Sequence, residues 1–125
     1  MDPVSTRRRR EQGAVTAELA MVLPLLVAVT VGLVWLLAVG AAQVRTVDAA
    51  RETARALARG DDQDEAVARG LRVAPPGSTV SLERSGADVR VEVVGEVAGP
   101  GGLLAHLPAA EVRAEAIAAV EEVAP

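Results

Sequence analysis

Charged and apolar positions divide the chain into blocks of unlike pattern. Residues 1–13 are polar and small, carry the unbroken run Arg7-Arg8-Arg9-Arg10, and with nothing to bury apolar surface are expected to be a disordered leader. Gly13 to Val44, GAVTAELAMVLPLLVAVTVGLVWLLAVGAAQV, is an apolar run whose one charge is Glu18. From Leu19 to Val44 there are 26 uncharged residues, which as a helix reach ~39 Å, more than the ~30 Å hydrocarbon core of a bilayer. The pattern predicts a transmembrane helix with some tilt. Pro24 removes a backbone donor in its first third and is expected to kink it. Thr30, Gly32 and Gly40 are small positions where a second helix could come close.

Beyond the run, Arg45 to Arg59 keeps helical spacing, with Val47, Ala50, Ala54 and Leu57 on one stripe and Asp48, Arg51, Glu52, Arg55 and Arg59 on the other. One continuous helix through the membrane and out of it is the expectation. Asp48 with Arg51 and Glu52 with Arg55 stand at offsets that suit ion pairs on a solvated face. Gly60 sits where a C-cap glycine belongs. In the acidic run Asp61 to Glu65, Asp62 followed three positions later by Glu65 reads as a capping box for a short helix ending near Arg72; EF-hand spacing is absent.

Pro75-Pro76-Gly77 breaks that helix. Ser78 to Arg84 alternates with Val80 and Leu82 inward, Asp88 to Val94 with Val89, Val91 and Val93, and Gly86 between them predicts a hairpin. Gly95 is expected to mark a bulge, residues 98–102 a flexible loop and residues 103–108 a connector. Residues 109–122 alternate like a strand but are rich in alanine and glutamate; a third strand is the expectation, since a lone hairpin is marginally stable.

Composition narrows the functional classes. The chain has 125 residues, no cysteine, one aromatic residue (Trp35) and one histidine (His106). Disulfides and cysteine zinc sites are excluded. A net charge of −4 and the lack of aromatic platforms argue against nucleic-acid binding. His106 has no Ser, Cys or carboxylate pair nearby in sequence, and no phosphate loop or metal signature is present, so no enzyme, cofactor or small-molecule substrate is expected. The four arginines favour a cytoplasmic N-terminus and put the C-terminal part outside the cytoplasmic membrane.

Glu18 separates this run from a plain anchor, because a carboxylate inside the apolar edge is costly in lipid. Cutting after Gly13 would make Ala14 a new N-terminus, one helical turn from Glu18. The basic leader, Gly13, and Ala14-Val15-Thr16-Ala17-Glu18 resemble the class III leader of type IV pilin-like proteins. The stretches GAVTAELAMVLPLL and VWLLAVGAAQVRTVDAARETARALARGD resemble more closely the TadE-like minor pilins, or pseudopilins, of tight-adherence systems. One departure is Ala14, which stands where major pilins commonly carry an aromatic residue.

The resemblance implies a pilin-like α+β fold: a leader over residues 1–13, a transmembrane helix over 14–44, and an extracytoplasmic domain over 45–125 with a short helix and a two- to three-stranded antiparallel sheet. It further implies a prepilin peptidase acting between Gly13 and Ala14, assembly through Glu18, and other pilin subunits with their assembly machinery as partners, beside the helix kink at Pro24 and the topology set by Arg7, Arg8, Arg9 and Arg10 that the residues themselves predict. Loss of the leader removes four arginines against Asp2 and Glu11, leaving about −6. The alternatives are a single-pass anchored envelope protein with no pilus role, or an exported one cut by signal peptidase to begin at Gln43, although the h-region is far longer than such signals use.

Overall fold

The computed structural model describes residues 3–102 and 104–120. Its elements are α1 (Pro3–Ala58), α2 (Gln63–Val73), β1 (Thr79–Ser85), β2 (Asp88–Val97) and β3 (Ala110–Ala119). The architecture is α+β, a long helix carrying a short helix and one antiparallel sheet of order β1-β2-β3.

Helix α1 is longer than the pattern implies, because the leader joins it: residues 3–13, read as structureless, are helical. The arginines, Glu11 and Gln12 are good helix formers, and extending an existing helix avoids the cost of nucleation. Arg7 and Glu11 also approach to 3.8 Å at the favourable i,i+4 offset. The helix runs without a break through Pro24.

The outer end of α1 forms the core. Ala50, Ala54 and Leu57 are buried and Val47 half-buried, as the stripe predicts. Gln43, on the same stripe, donates from Nε2 to the Arg113 carbonyl of β3 at 2.9 Å. A second stripe, Ala42, Thr46, Ala49, Thr53 and Ala56, is buried as well. The two threonine hydroxyls are satisfied within the helix, Thr46 donating to the Ala42 carbonyl (2.8 Å) and Thr53 to Ala49 (2.9 Å). Here α2 crosses closely: a Cβ on Gly70 would collide with Thr53 Oγ1 and stand 3.1 Å from the Ala49 carbonyl oxygen.

Helix α1 ends as expected at Gly60. With φ +88° it lets its own amide reach Leu57 (3.0 Å) and that of Asp61 reach Ala56 (3.1 Å), which is a Schellman closure. Asp62 then caps α2, accepting from the Asp64 amide at 3.1 Å. The reciprocal half of the predicted capping box is not what Glu65 does, because its carboxylate takes Arg69 at 2.9 Å. Of the expected pairs on α1, Glu52 meets Arg55 at 3.6 Å, whereas no Asp48–Arg51 ion pair forms among the described residues.

Pro75 to Ser78 closes a turn with Gly77 at φ +78° and the Ser78 amide on the Pro75 carbonyl at 3.2 Å. Gly86 (φ +64°), followed by a residue of negative φ, closes the β1–β2 hairpin as a II′ turn. Val89, Val91 and Val93 of β2 and Val112 and Ala118 of β3 face inward and are buried. The expected bulge at Gly95 is absent, and Gly95 pairs in register with Val112. Its glycine serves close packing, for a Cβ there would meet Ser78 Oγ at 2.7 Å and Val112 Cγ2 at 3.3 Å. Residues 110–119 are the third strand in spite of their helix-forming composition, since pairing with β2 and burial of Val112 outweigh propensity.

Candidate functional site

The residues singled out at the N-terminus all lie on one exposed stretch of α1. Arg7, Arg8, Arg9, Arg10, Gly13, Ala14, Glu18 and Pro24 are each solvent-facing. Arg7 to Arg10 follow one another at about 100° per residue, so their guanidinium groups surround the rod instead of forming one face. Ala14 and Glu18 stand four residues apart on one side of the helix, a rise of about 6 Å. Between them, Thr16 Oγ1 donates to the Gln12 carbonyl at 2.8 Å, spanning the Gly13–Ala14 peptide from the outside.

Gly13 has no structural reason to be glycine in this fold. Its φ is not positive, and a Cβ built on it would meet nothing within 4 Å. A helix-interior glycine costs about 1 kcal/mol relative to alanine. Gly40 is equally open; Gly13 differs in lying between the arginine run and Glu18.

Further along, the rod is bare. Leu19, Leu25, Leu33 and Leu36 are each more than half exposed, and Met21 reaches 81%. The half-buried exceptions, Ala28, Gly32, Trp35 and Val39, form one stripe. Against it lies the loop that joins β2 to β3. Trp35 Nε1 donates to the Ala98 carbonyl at 2.8 Å, and a Cβ on Gly32 would stand 3.6 Å from Leu104 Cδ1. Leu104 and Leu107 share a shallow apolar cavity with Leu25, Val29, Leu33 and Leu36. Sequence reasoning read this loop as a free connector. The missed signal is the absence of Asp, Glu, Lys or Arg over residues 97–110, with three leucines at 103, 104 and 107. Gly32, one of the small positions where a second helix could come close, receives Leu104.

The acidic run after Gly60 is taken up in structure. Asp61 lies 3.4 Å from Arg59 and 3.8 Å from Arg69. The Glu65 hydrogen bond, and after it the Asp61 charge, raise the Arg69 pKa above the ordinary arginine value. On the outer face of the sheet, Arg113 is raised likewise by its hydrogen bond with Glu111 and by Glu92. Among the described residues no group of three or more His, Cys, Asp or Glu side chains could hold a metal ion. His106 is exposed in the loop.

The described residues contain one helix long and apolar enough to cross a membrane, and none of its most apolar window is buried. Residues 13–55 match the family model for TadE-like proteins. That stretch starts at Gly13 and ends within the core-forming part of α1, and over it the chain is similar to TadE-like proteins. No curated protein and no solved structure matches it.

Proposed function

We propose that the chain is a minor pilin, or pseudopilin, of a tight-adherence type IV pilus or secretion system, structural and not enzymatic. In this reading a prepilin peptidase cuts after Gly13 on the cytoplasmic side. Residues 14–44 hold the subunit in the cytoplasmic membrane, and residues 45–125 lie outside until the assembly machinery draws the subunit towards other pilins.

The observation that carries the reading is Gly13, a glycine in an exposed helix where neither backbone conformation nor packing asks for one. A peptidase needs its substrate unwound at the scissile bond, and the residue of weakest helix propensity lowers that cost. Glu18 supplies the second half. An isolated carboxylate in a bilayer costs roughly 2.5–3.5 kcal/mol, and the cut creates an ammonium on Ala14 one turn away. Pairing with that ammonium, within the chain or between neighbouring subunits, would offset the cost and fix the axial register of one rod against the next. Pro24 leaves the Ala20 carbonyl without its ladder donor, softening the rod where membrane and filament surroundings differ.

Mass spectrometry of the protein recovered from membranes tests this. A mature chain beginning at Ala14 is expected. An uncut N-terminus would make it a tethered envelope protein, and a start at Gln43 an exported one.

A further inference from the structure

We propose that the loop of residues 99–102 and 104–108 is a membrane-dipping element whose Leu104 and Leu107 enter the lipid leaflet on the side of the globular domain. The proposal rests on the reading of α1 as a membrane span.

Spacing along α1 carries the argument. Leu104 packs at the level of Gly32, fourteen residues beyond Glu18, a rise of about 21 Å. A hydrocarbon core of ~30 Å that begins at Glu18 therefore ends about 9 Å past Leu104. Drawing Glu18 further into the lipid moves the loop outward, so that a core beginning at Ala14, about 27 Å below Gly32, leaves Leu104 about 3 Å inside the boundary. Trp35, about 25 Å from Glu18, falls a few ångströms inside the boundary of the core that begins at Glu18, where indoles concentrate.

The loop is built for that position. Irregular backbone is excluded from lipid by its unpaired amides, but here the amides of Leu104, Ala105 and Leu107 donate to Gly101 (3.1 Å), Gly102 (3.2 Å) and Leu104 (3.0 Å). Pro100 and Pro108 have no amide hydrogen to satisfy. The Ala98 carbonyl is satisfied by the indole of Trp35. Glu96 and Glu111, both exposed, bracket a stretch with no Asp, Glu, Lys or Arg. Leu107 is 41% exposed beside the bare faces of Leu25, Leu33 and Leu36, so its apolar surface continues that of the rod. A depth of about 5–10 Å is that of interfacial elements.

The chain has no cysteine, so single-cysteine variants of the full chain accept one nitroxide each. Leu107→Cys, Ala105→Cys, Leu25→Cys and Glu83→Cys would be reconstituted in vesicles of phosphatidylethanolamine and phosphatidylglycerol and probed for collision with oxygen and with a water-soluble nickel chelate. The expected result is an oxygen-to-nickel ratio several-fold higher at position 107 or 105 than at Glu83→Cys, approaching that at Leu25→Cys. Water-like ratios at both loop positions with a lipid-like Leu25→Cys would overturn the loop assignment and leave the span intact. A water-like Leu25→Cys would remove the span, and the loop assignment with it. Loop labels shielded from both probes and broadened by each other would place a second copy on the loop, which also overturns the lipid assignment.

Discussion

The indole N–H of Trp35 donates to the carbonyl of Ala98 across 63 residues of sequence, at 2.8 Å. The bond fastens the β2–β3 loop to the apolar rod, and with Leu104 on Gly32 it extends the domain's footprint from the core end of α1 down to about Ala28. Trp35→Phe keeps the ring and deletes the donor, leaving the Ala98 carbonyl unpaired. The expected loss is about 0.5–1.5 kcal/mol, seen as faster amide hydrogen exchange over residues 98–107 with little change in β2. Unchanged exchange there would show that apolar contact alone holds the loop.

At the α1–α2 crossing the expected effect of Gly70→Ala is destabilising. The helix gains up to about 1 kcal/mol in propensity, but the new Cβ collides with Thr53 Oγ1 and crowds the Ala49 carbonyl. Such overpacking costs typically about 1–3 kcal/mol. A lowered thermal midpoint by circular dichroism should be partly restored by Thr53→Ala in the same chain. Full restoration would mean that the backbone of Ala49 gives way freely.

Gly13→Val should block processing without disturbing the domain, because nothing lies within 4 Å of that position. The expected product retains residues 1–13 in its mass and melts like the uncut precursor. A correctly trimmed product would remove Gly13 from the peptidase's requirements.

Glu18→Ala should leave membrane insertion and trimming intact and impair incorporation into filaments, since the ammonium of Ala14 loses its partner. Glu18→Gln, which keeps the size and removes the charge, should behave alike. Normal assembly with either variant, scored by microscopy and by co-purification with other subunits, would rule out register by ion pairing.

The pH response of the arginine pairs follows from their sign. Arg69 and Arg113 have raised pKa values through Glu65 and Glu111, so the stabilisation they add is complete below the ordinary arginine pKa and is lost only as pH climbs past it. Across the neutral range these pairs should leave the thermal midpoint flat. Added salt should lower it only slightly, because Arg113, Glu65 and Glu111 are exposed. A clear loss of stability in mildly alkaline buffer would have to come from another group.

Much of the fold was legible because its signals are local. The Val47, Ala50, Ala54, Leu57 stripe, the caps at Gly60 and Asp62, the hairpin at Gly86 and the alternation of Val89, Val91 and Val93 each follow from spacing or backbone chemistry within a few residues. What escaped depends on partners far away in sequence. Thr46, Ala49, Thr53 and Ala56 look neutral on a helix, and only the elements packed across them make them core, with Gly70 of α2 lying against Ala49 and Thr53. Gly95 suggested a bulge because the closeness of Ser78 cannot be read from one strand. The leader was expected to lack structure because nothing in it buries apolar surface; continuity with a long helix sufficed. At the candidate site Gly13, Ala14 and Glu18 are readings of pattern alone. The openness around Gly13 and the loop lying on Trp35 needed coordinates.

One unbroken helix serves both as the membrane rod and, over Ala42 to Leu57, as the wall against which the domain is built. Under the proposed assembly role, a pull applied beyond Pro24 meets no break in the helix before the headpiece and would arrive at Ala49 and Thr53. The headpiece would then turn with its own stem, and extraction from the bilayer would load the crossing with α2.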